Sequence, residues 1–426
     1  MKRANDEIDR RHLLKLGLSA GPALFVSSLL AARPAHAKGA VLRPAKARAC
    51  VWIWLNGGPS HVDTFDPKPG APGGGPFKPI KTRAAGVEIC QHLPRLADRA
   101  SDFALIRSMT SREGNHDRAG YLVRSGYAPT PTLQHPSLGA WAAEELDVRG
   151  LELPAFVSIG GPSMGAGFLG ASYAPFVVRN LGRPIDNVEL PRGVDTSRFQ
   201  RRQDILTELE SGFAAQTGDR KVHARQSVYA NAARLMSSPA LRAFDLASEP
   251  ASLQAAYGDH DFGRGCLMAR RLVEAGVRFV EVTLDGWDTH KDNFSRTKKL
   301  MDVLDEGASA LFRDLRERDL LESTLVLMAG EFGRTPKINH DEGRDHHPQA
   351  WSAVLGGGGI RGGQVYGKTD QDGAQVIEHP VTIADFLATA ANLLGIDPDK
   401  WVFTPVGRPI SLTDHGRPIA ALLADS

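Results

Sequence analysis

Three short segments of this chain gather the side chains from which a metal-binding or reactive site is built. Asp285-Gly286-Trp287-Asp288-Thr289-His290 puts two carboxylates and an imidazole close together, and Gly330-Glu331-Phe332-Gly333-Arg334-Thr335 adds a carboxylate and a guanidinium. Arg344-Asp345-His346-His347-Pro348 adds two adjacent imidazoles. Carboxylate oxygens and neutral imidazoles are ligands for zinc, manganese or iron. A fourth segment, Asn115-His116-Asp117-Arg118, reads as a loop entering a helix, whose first backbone N–H groups suit an anion. Each segment also has a plainer reading. Asp-Gly closes a polar turn through its own side chain, a histidine pair before Pro348 fits a surface loop, and Asp117 at a helix start suits the helix dipole.

The elements that must position these segments are short apolar runs bounded by Gly, Pro or Asn. Residues 50–55, 103–107, 155–159, 279–284, 324–329 and 351–355 read as buried strands, because strands covered on both faces are apolar without interruption. Helical patterns at 135–146, 262–275 and 296–321 lie between them. This alternation predicts an α/β domain over residues 46–426, with a mostly parallel central sheet and helices on both faces. Residues 197–256 are charged, helical in pattern and without strand signals, and they read as a helical insertion over the sheet. The glycine-rich segments 70–76 and 356–363 read as loops. In open α/β sheets, sites form beyond the carboxyl ends of strands. The runs ending at Leu55, Leu284 and Ala329 lead directly into polar residues, so carboxylates and imidazoles accumulate at one end of the sheet.

Composition narrows the classes of function. The net charge is +2 with both signs mixed, which leaves no concentrated basic face for nucleic acid. Three cysteines, Cys50, Cys90 and Cys266, permit at most one disulfide, and Cys50 and Cys266 beside apolar segments read as buried small hydrophobes. The first 37 residues have the layout of an export signal. Arg10-Arg11 precede an apolar run from Leu16 to Leu30, and Ala35-His36-Ala37 has the small-x-small form of a cleavage site. Paired arginines followed by Lys15 resemble the twin-arginine signal, so the expected partner is the twin-arginine export machinery and the expected location is periplasmic. Gly17, Ser19, Gly21 and Pro22 interrupt the run, and no later run is apolar enough for a stable membrane span in the mature form.

At these motifs the sequence resembles the bacterial family known as domain of unknown function 1501 and, more distantly, the alkaline phosphatase and sulfatase superfamily. The residues that carry the resemblance are Asn56-Gly57-Gly58-Pro59-Ser60-His61, Asp63-Thr64-Phe65-Asp66-Pro67-Lys68, Gly286–His290, Gly330–Pro336 and Arg344–Pro348. The likeness implies an alkaline-phosphatase-like fold and one divalent metal, zinc or manganese. Asp285, His290 and His347 would bind it, with Asp288, Glu331 and His346 as further ligands or as hydrogen-bond partners behind them. It also implies hydrolysis of a phosphate or sulfate ester, an anionic small molecule, with His116 at the reacting centre and Arg334 or Arg118 holding the anionic group. Several positions depart from the superfamily pattern: Asn56 stands where a metal-binding Asp is expected, His116 where a hydroxyl or thiol nucleophile is expected, and Glu331-Phe332 where an Asp-His pair is expected, while the Asp285–His290 spacing differs by one. Those departures imply the alternative of a non-catalytic exported binding or structural protein that keeps the fold.

The export reading generates the first prediction. Replacing Arg10 and Arg11 together by lysine should strand the precursor in the cytoplasm, as read by fractionation and immunoblotting. A periplasmic double variant would show that the twin-arginine reading is wrong.

Overall fold

Strand β1, Ala49–Leu55, is buried at every position. Successive side chains of a strand point to opposite faces, so Cys50, Trp52 and Trp54 enter one apolar cluster while Val51, Ile53 and Leu55 enter the other. A strand with no polar phase can be stable only in the middle of a covered sheet, and that is where β1 lies. The structure is a computed structural model. It describes residues 45–424 other than 147, 182–184, 186, 187, 189, 191, 218 and 219, and the side chains of 196, 212–217 and 220–227 are also left out. The expected export signal at 1–37 therefore lies outside the described residues.

Ten further strands matter here: β2 Phe103–Thr110, β3 Phe156–Ile159, β4 Phe176–Val178, β5 Phe279–Leu284, β6 Thr324–Ala329, β7 Gly333–Arg334, β8 His346–His347, β9 Trp351–Gly357, β10 Gln364–Tyr366 and β11 Val381–Thr382. The central sheet has the order β10-β2-β9-β6-β1-β5-β3-β4, with β11 also paired to β2. Every pairing is parallel except those of β9, which runs antiparallel to both β2 and β6. The six strands expected from apolar runs all belong to this sheet. The edge strands β4, β10 and β11 are too short to give a run of their own.

The longer helices are α1 His116–Ser125, α2 Leu138–Glu145, α3 Thr196–Thr217, α4 Arg220–Ser237, α5 Asp261–Glu274, α6 Asn293–Glu317 and α7 Ile383–Leu393. Helices α5 and α6 cover the Val51 face with Leu267, Leu272, Leu304 and Leu311. On the other face, α2 contributes Trp141 and α7 contributes Phe386, whose ring meets Trp52 edge-on at 6.1 Å. The class is α/β, with a largely parallel sheet covered on both sides. Helices α3 and α4 fill most of the strand-free stretch 197–256.

One local expectation is corrected. Gly356 and Gly357, read as part of a loop, close strand β9. A Cβ on Gly356 would come within 2.5 Å of the Phe312 ring and 2.9 Å of the Asp102 carbonyl oxygen, so α6 packs on bare backbone there. All three cysteines are buried and unpaired.

The segment after β1 is anchored by a buried ion pair. Arg344 donates from Nε and Nη2 to the two oxygens of Asp63 at 2.7 and 2.9 Å, and neither side chain reaches solvent. Asn293 Nδ2 donates to the same carboxylate at 2.8 Å, while the remaining donors of Arg344 reach the carbonyls of Gly73, Thr335 and Pro336. Four distant stretches of chain are thereby tied to one charge pair. Asp63→Ala should cost about 3–5 kcal/mol in urea unfolding, because it strands a guanidinium in the interior. A loss under about 1 kcal/mol would mean that water reaches the site and the pair stabilises little.

Candidate metal centre

The carboxyl ends of β1, β5 and β6 lead into Asn56, Asp285 and Gly330-Glu331. Beyond the carboxyl end of β2, Asn115 caps α1 by accepting from Arg118 N, which sets His116 at the helix start; Gly126, in the left-handed region, ends the helix. Strand β9 runs the other way, so the residues before it, not after it, arrive at this end of the sheet. Its leader His346–His347 pairs with Gly333–Arg334, His346 opposite Arg334.

Three imidazoles converge on one carboxylate. His116 Nε2, His290 Nε2 and His346 Nε2 lie 3.4, 3.2 and 3.5 Å from Asp288 Oδ1. Each ring has its other nitrogen on an oxygen. His116 Nδ1 is 2.6 Å from Glu331 Oε1, His290 Nδ1 is 2.9 Å from Asp345 Oδ1, and His346 Nδ1 is 2.7 Å from the Gly114 carbonyl. A carbonyl or carboxylate oxygen can only accept, so each Nδ1 carries the proton. In a neutral ring Nε2 then presents a lone pair. The Nε2 atoms of His290 and His346 are only 2.9 Å apart, and His116 Nε2 is buried without a hydrogen-bond partner. With all three rings neutral, lone pairs crowded onto a carboxylate would repel one another, and a cation among them would be coordinated instead. One ligand atom each from His116, Asp288 and His346 already falls within 4.8 Å of the others. This N, N, O donor set suits zinc or manganese, and rings fixed through Nδ1 by a carboxylate or carbonyl are the usual support for ligating histidines.

Electrostatics agree with the geometry. Burial works to raise Asp288, but the Arg334 hydrogen bond and charge outweigh it and hold the carboxyl below its usual range. Burial, followed by the Arg334 charge, pushes His346 down and keeps its lone pair available. The Glu331 hydrogen bond outweighs partial burial at His116 and raises that imidazole. Glu331 also accepts from Gly57 N at 3.0 Å, which fixes it from behind.

The remaining expected residues fall as follows. Asp285 stands at the rim, accepting from Asn56 Nδ2 and from Gly286 N, both at 2.8 Å. His347 is not brought to the cluster. As the neighbour of His346 in a strand it faces away, and its Nε2 bonds the Ala374 carbonyl at 2.7 Å. Its ring stacks on His61, whose pKa burial lowers to about 4. Arg334 is fully enclosed; it donates to the carbonyls of Gly57, Gly58 and Arg344 and to Asp288, which occupies all three of its nitrogens. Arg118 is a surface residue paired with Glu113. These partners leave Arg334 no nitrogen for an anion, which corrects that half of the expectation; Arg118 commits only its Nε to Glu113.

A cleft of about 570 Å³ opens beside the cluster, lined by His116, Asp288, Asn56, Asp285, Glu331, Arg124 and Ser163 among others. Arg124, Ser163 and the buried Glu281 between them were missed in the sequence. The visible signal was Glu281, a charge within the apolar run Phe279–Leu284. A larger cavity, about 1120 Å³, lies against α2 and α4 and contains none of the site residues.

No curated protein matches the chain in sequence. Solved structures with a similar fold include a sulfatase from Pseudoalteromonas sp., at 12% identity and TM-score 0.42, covering 88% of this chain and 72% of that one. A protein in the alkaline phosphatase superfamily from Vibrio parahaemolyticus is 11% identical, with TM-score 0.38 and coverage of 90% and 72%. An alkaline phosphatase from an Antarctic bacterium is 13% identical, with TM-score 0.33 and coverage of 77% and 96%. These likenesses are too remote to say anything about activity. The model of the family described as "Protein of unknown function (DUF1501)" matches residues 47–423, and the chain belongs to that family.

Proposed function

We propose that the mature protein is a periplasmic, metal-dependent hydrolase of phosphate or sulfate esters, with His116, Asp288 and His346 as metal ligands and His290 as a fourth. The observation that carries this reading is the convergence of three Nε2 atoms, each with its Nδ1 already committed, on one carboxylate. When bound, a divalent ion supplies Lewis acidity towards an ester oxygen or lowers the pKa of a water. The chain's own groups do the rest. Arg334, buried and fully bonded, keeps Asp288 ionised and aimed at the histidines. Glu331 and Asp345 hold the proton on the outer nitrogen of His116 and His290. His116 acts as a ligand at the reacting centre, so no covalent intermediate on a hydroxyl is required.

Asn56 favours a second reading, a non-catalytic binding or structural protein. At the end of the central strand it offers an amide that donates to Asp285, which draws both side chains into a hydrogen bond.

Purified without chelators, the protein should carry close to one zinc or manganese per chain by elemental analysis. His116→Ala, Asp288→Asn or His346→Ala should each remove most of it, while His347→Ala should not. Glu331→Gln should weaken metal affinity by about 10–100-fold, the usual effect of losing a ligand's support. Retention of metal by the His116 and His346 variants would overturn the ligand assignment. Aryl phosphates, phosphodiesters and aryl sulfates should be screened with the loaded protein, with His116→Ala as the control. Turnover abolished in that control supports the hydrolase, whereas a folded, loaded and inert protein supports the binding reading.

A further inference from the structure

Resting on that reading of the site, we infer that Arg124 grips the substrate through its free Nη1 edge, and that the group it grips is the head of a monoanionic ester. Sulfate monoesters and phosphodiesters share that chemistry. Arg124 is the arginine that lines the cleft. Its Nε and Nη2 donate to Glu281, with the closest contact at 2.7 Å, and its Cζ lies 3.6 Å from the centroid of the Trp54 ring. Nη1 has no hydrogen-bond partner among the described residues. It stands 3.4 Å from where a Cβ on Gly120 would be, one helical turn back on α1 and also in the cleft wall. The missing side chain at Gly120 therefore leaves the Nη1 edge accessible.

The setting of Arg124 fixes both its direction and the charge it accepts. A guanidinium clamped between a carboxylate and an indole has already lost its rotamer freedom, so it orders a ligand at little entropic cost. Trp54 is itself held by donating to Asn56 Oδ1 at 3.0 Å. The Glu281 side chain is 2% exposed and offsets the Arg124 charge, so the arginine supplies a directed donor with little net positive field. Asp117, Asp285, Asp288 and Glu331 also line the cleft, and with Arg334 on Asp288 and a divalent ion bound these four carboxylates keep about one net negative charge. Against such a wall a second negative charge on the ligand doubles the repulsion. A monoanion keeps the hydrogen bond and avoids most of that cost.

Benzenesulfonate and phenylphosphonate test this directly, since they share a ring and a tetrahedral head but differ in charge at alkaline pH. By calorimetry on the full, metal-loaded chain, benzenesulfonate should bind about fivefold tighter than phenylphosphonate. Arg124→Gln should weaken benzenesulfonate about tenfold, the size expected for a lost charge-assisted hydrogen bond. Because that variant leaves Glu281 unpaired, the Arg124→Gln/Glu281→Gln double variant, checked by thermal unfolding, should show the same loss. Undetectable benzenesulfonate binding by the wild type, or unchanged affinity in the folded double variant, would overturn the role of Arg124. Tighter binding of phenylphosphonate would overturn the charge class. Metal content and turnover measured on the same samples keep the two proposals apart. Turnover with ligand affinity untouched by the variants rejects only the Arg124 inference, and ligand affinity lost in a protein without turnover rejects only the hydrolase. Relative turnover of an aryl sulfate and a bis-aryl phosphate then distinguishes the two sources of monoanion.

Discussion

The guanidinium of Arg334 is sealed from solvent among three backbone carbonyls and one carboxylate, and the end of the sheet is organised around it. Its carbonyl partners come from the turn after β1 and from the segment before β8, while the carboxylate comes from the segment after β5. Carbonyls buried without donors are costly, and so is an unpaired buried cation. Neither half of this arrangement is stable alone. The turn that receives the guanidinium depends in its own way on lacking side chains. A Cβ on Gly57, which has φ of 110°, would come 2.4 Å from Asp288 N, so only glycine lets the 286–288 segment lie against it.

Two buried arginines thus divide the work. Arg344 fixes the segment after β1 through Asp63, and Arg334 fixes the face that segment turns towards the cleft. The ligand cluster is rigid because its supports are rigid. Each imidazole is tied through one nitrogen to an oxygen from another segment, and Asp288 is tied to a cation that cannot move. What is left over is a small space between three imidazole nitrogens and one carboxylate oxygen, where a cation would find its donors already in place.

Much of this was legible in the sequence, for reasons that can be named. Central strands of a covered sheet have no polar face, so their apolar runs stand out, and polar residues at their ends mark the carboxyl edge. Asp285, Asp288, His290, Glu331 and His346 stand out as candidates on that basis, and His116 stands out separately at the start of a helix. The choice between His346 and His347 was not, because adjacent strand residues point oppositely and only the pairing of β8 with β7 fixes which one turns inward. The partners of Arg334 were hidden for a related reason: backbone carbonyls have no signature in sequence. Arg124 lies on α1 among ordinary helix formers, and its importance appears only once Glu281 of β5 and Trp54 of β1 are seen beside it. The short edge strands give no pattern at all, since two or three residues cannot show a period.

The buried thiols have a bearing on where such a molecule can fold. Burial raises the pKa of Cys50, Cys90 and Cys266 alike, so almost no thiolate forms at neutral pH, and thiol–disulfide exchange proceeds through the thiolate. The covalent structure is consequently the same in a reducing and in an oxidising medium. No step of oxidation has to follow folding, and no glutathione pool can undo it. A chain moved from a reducing to an oxidising medium would change its surroundings without changing itself.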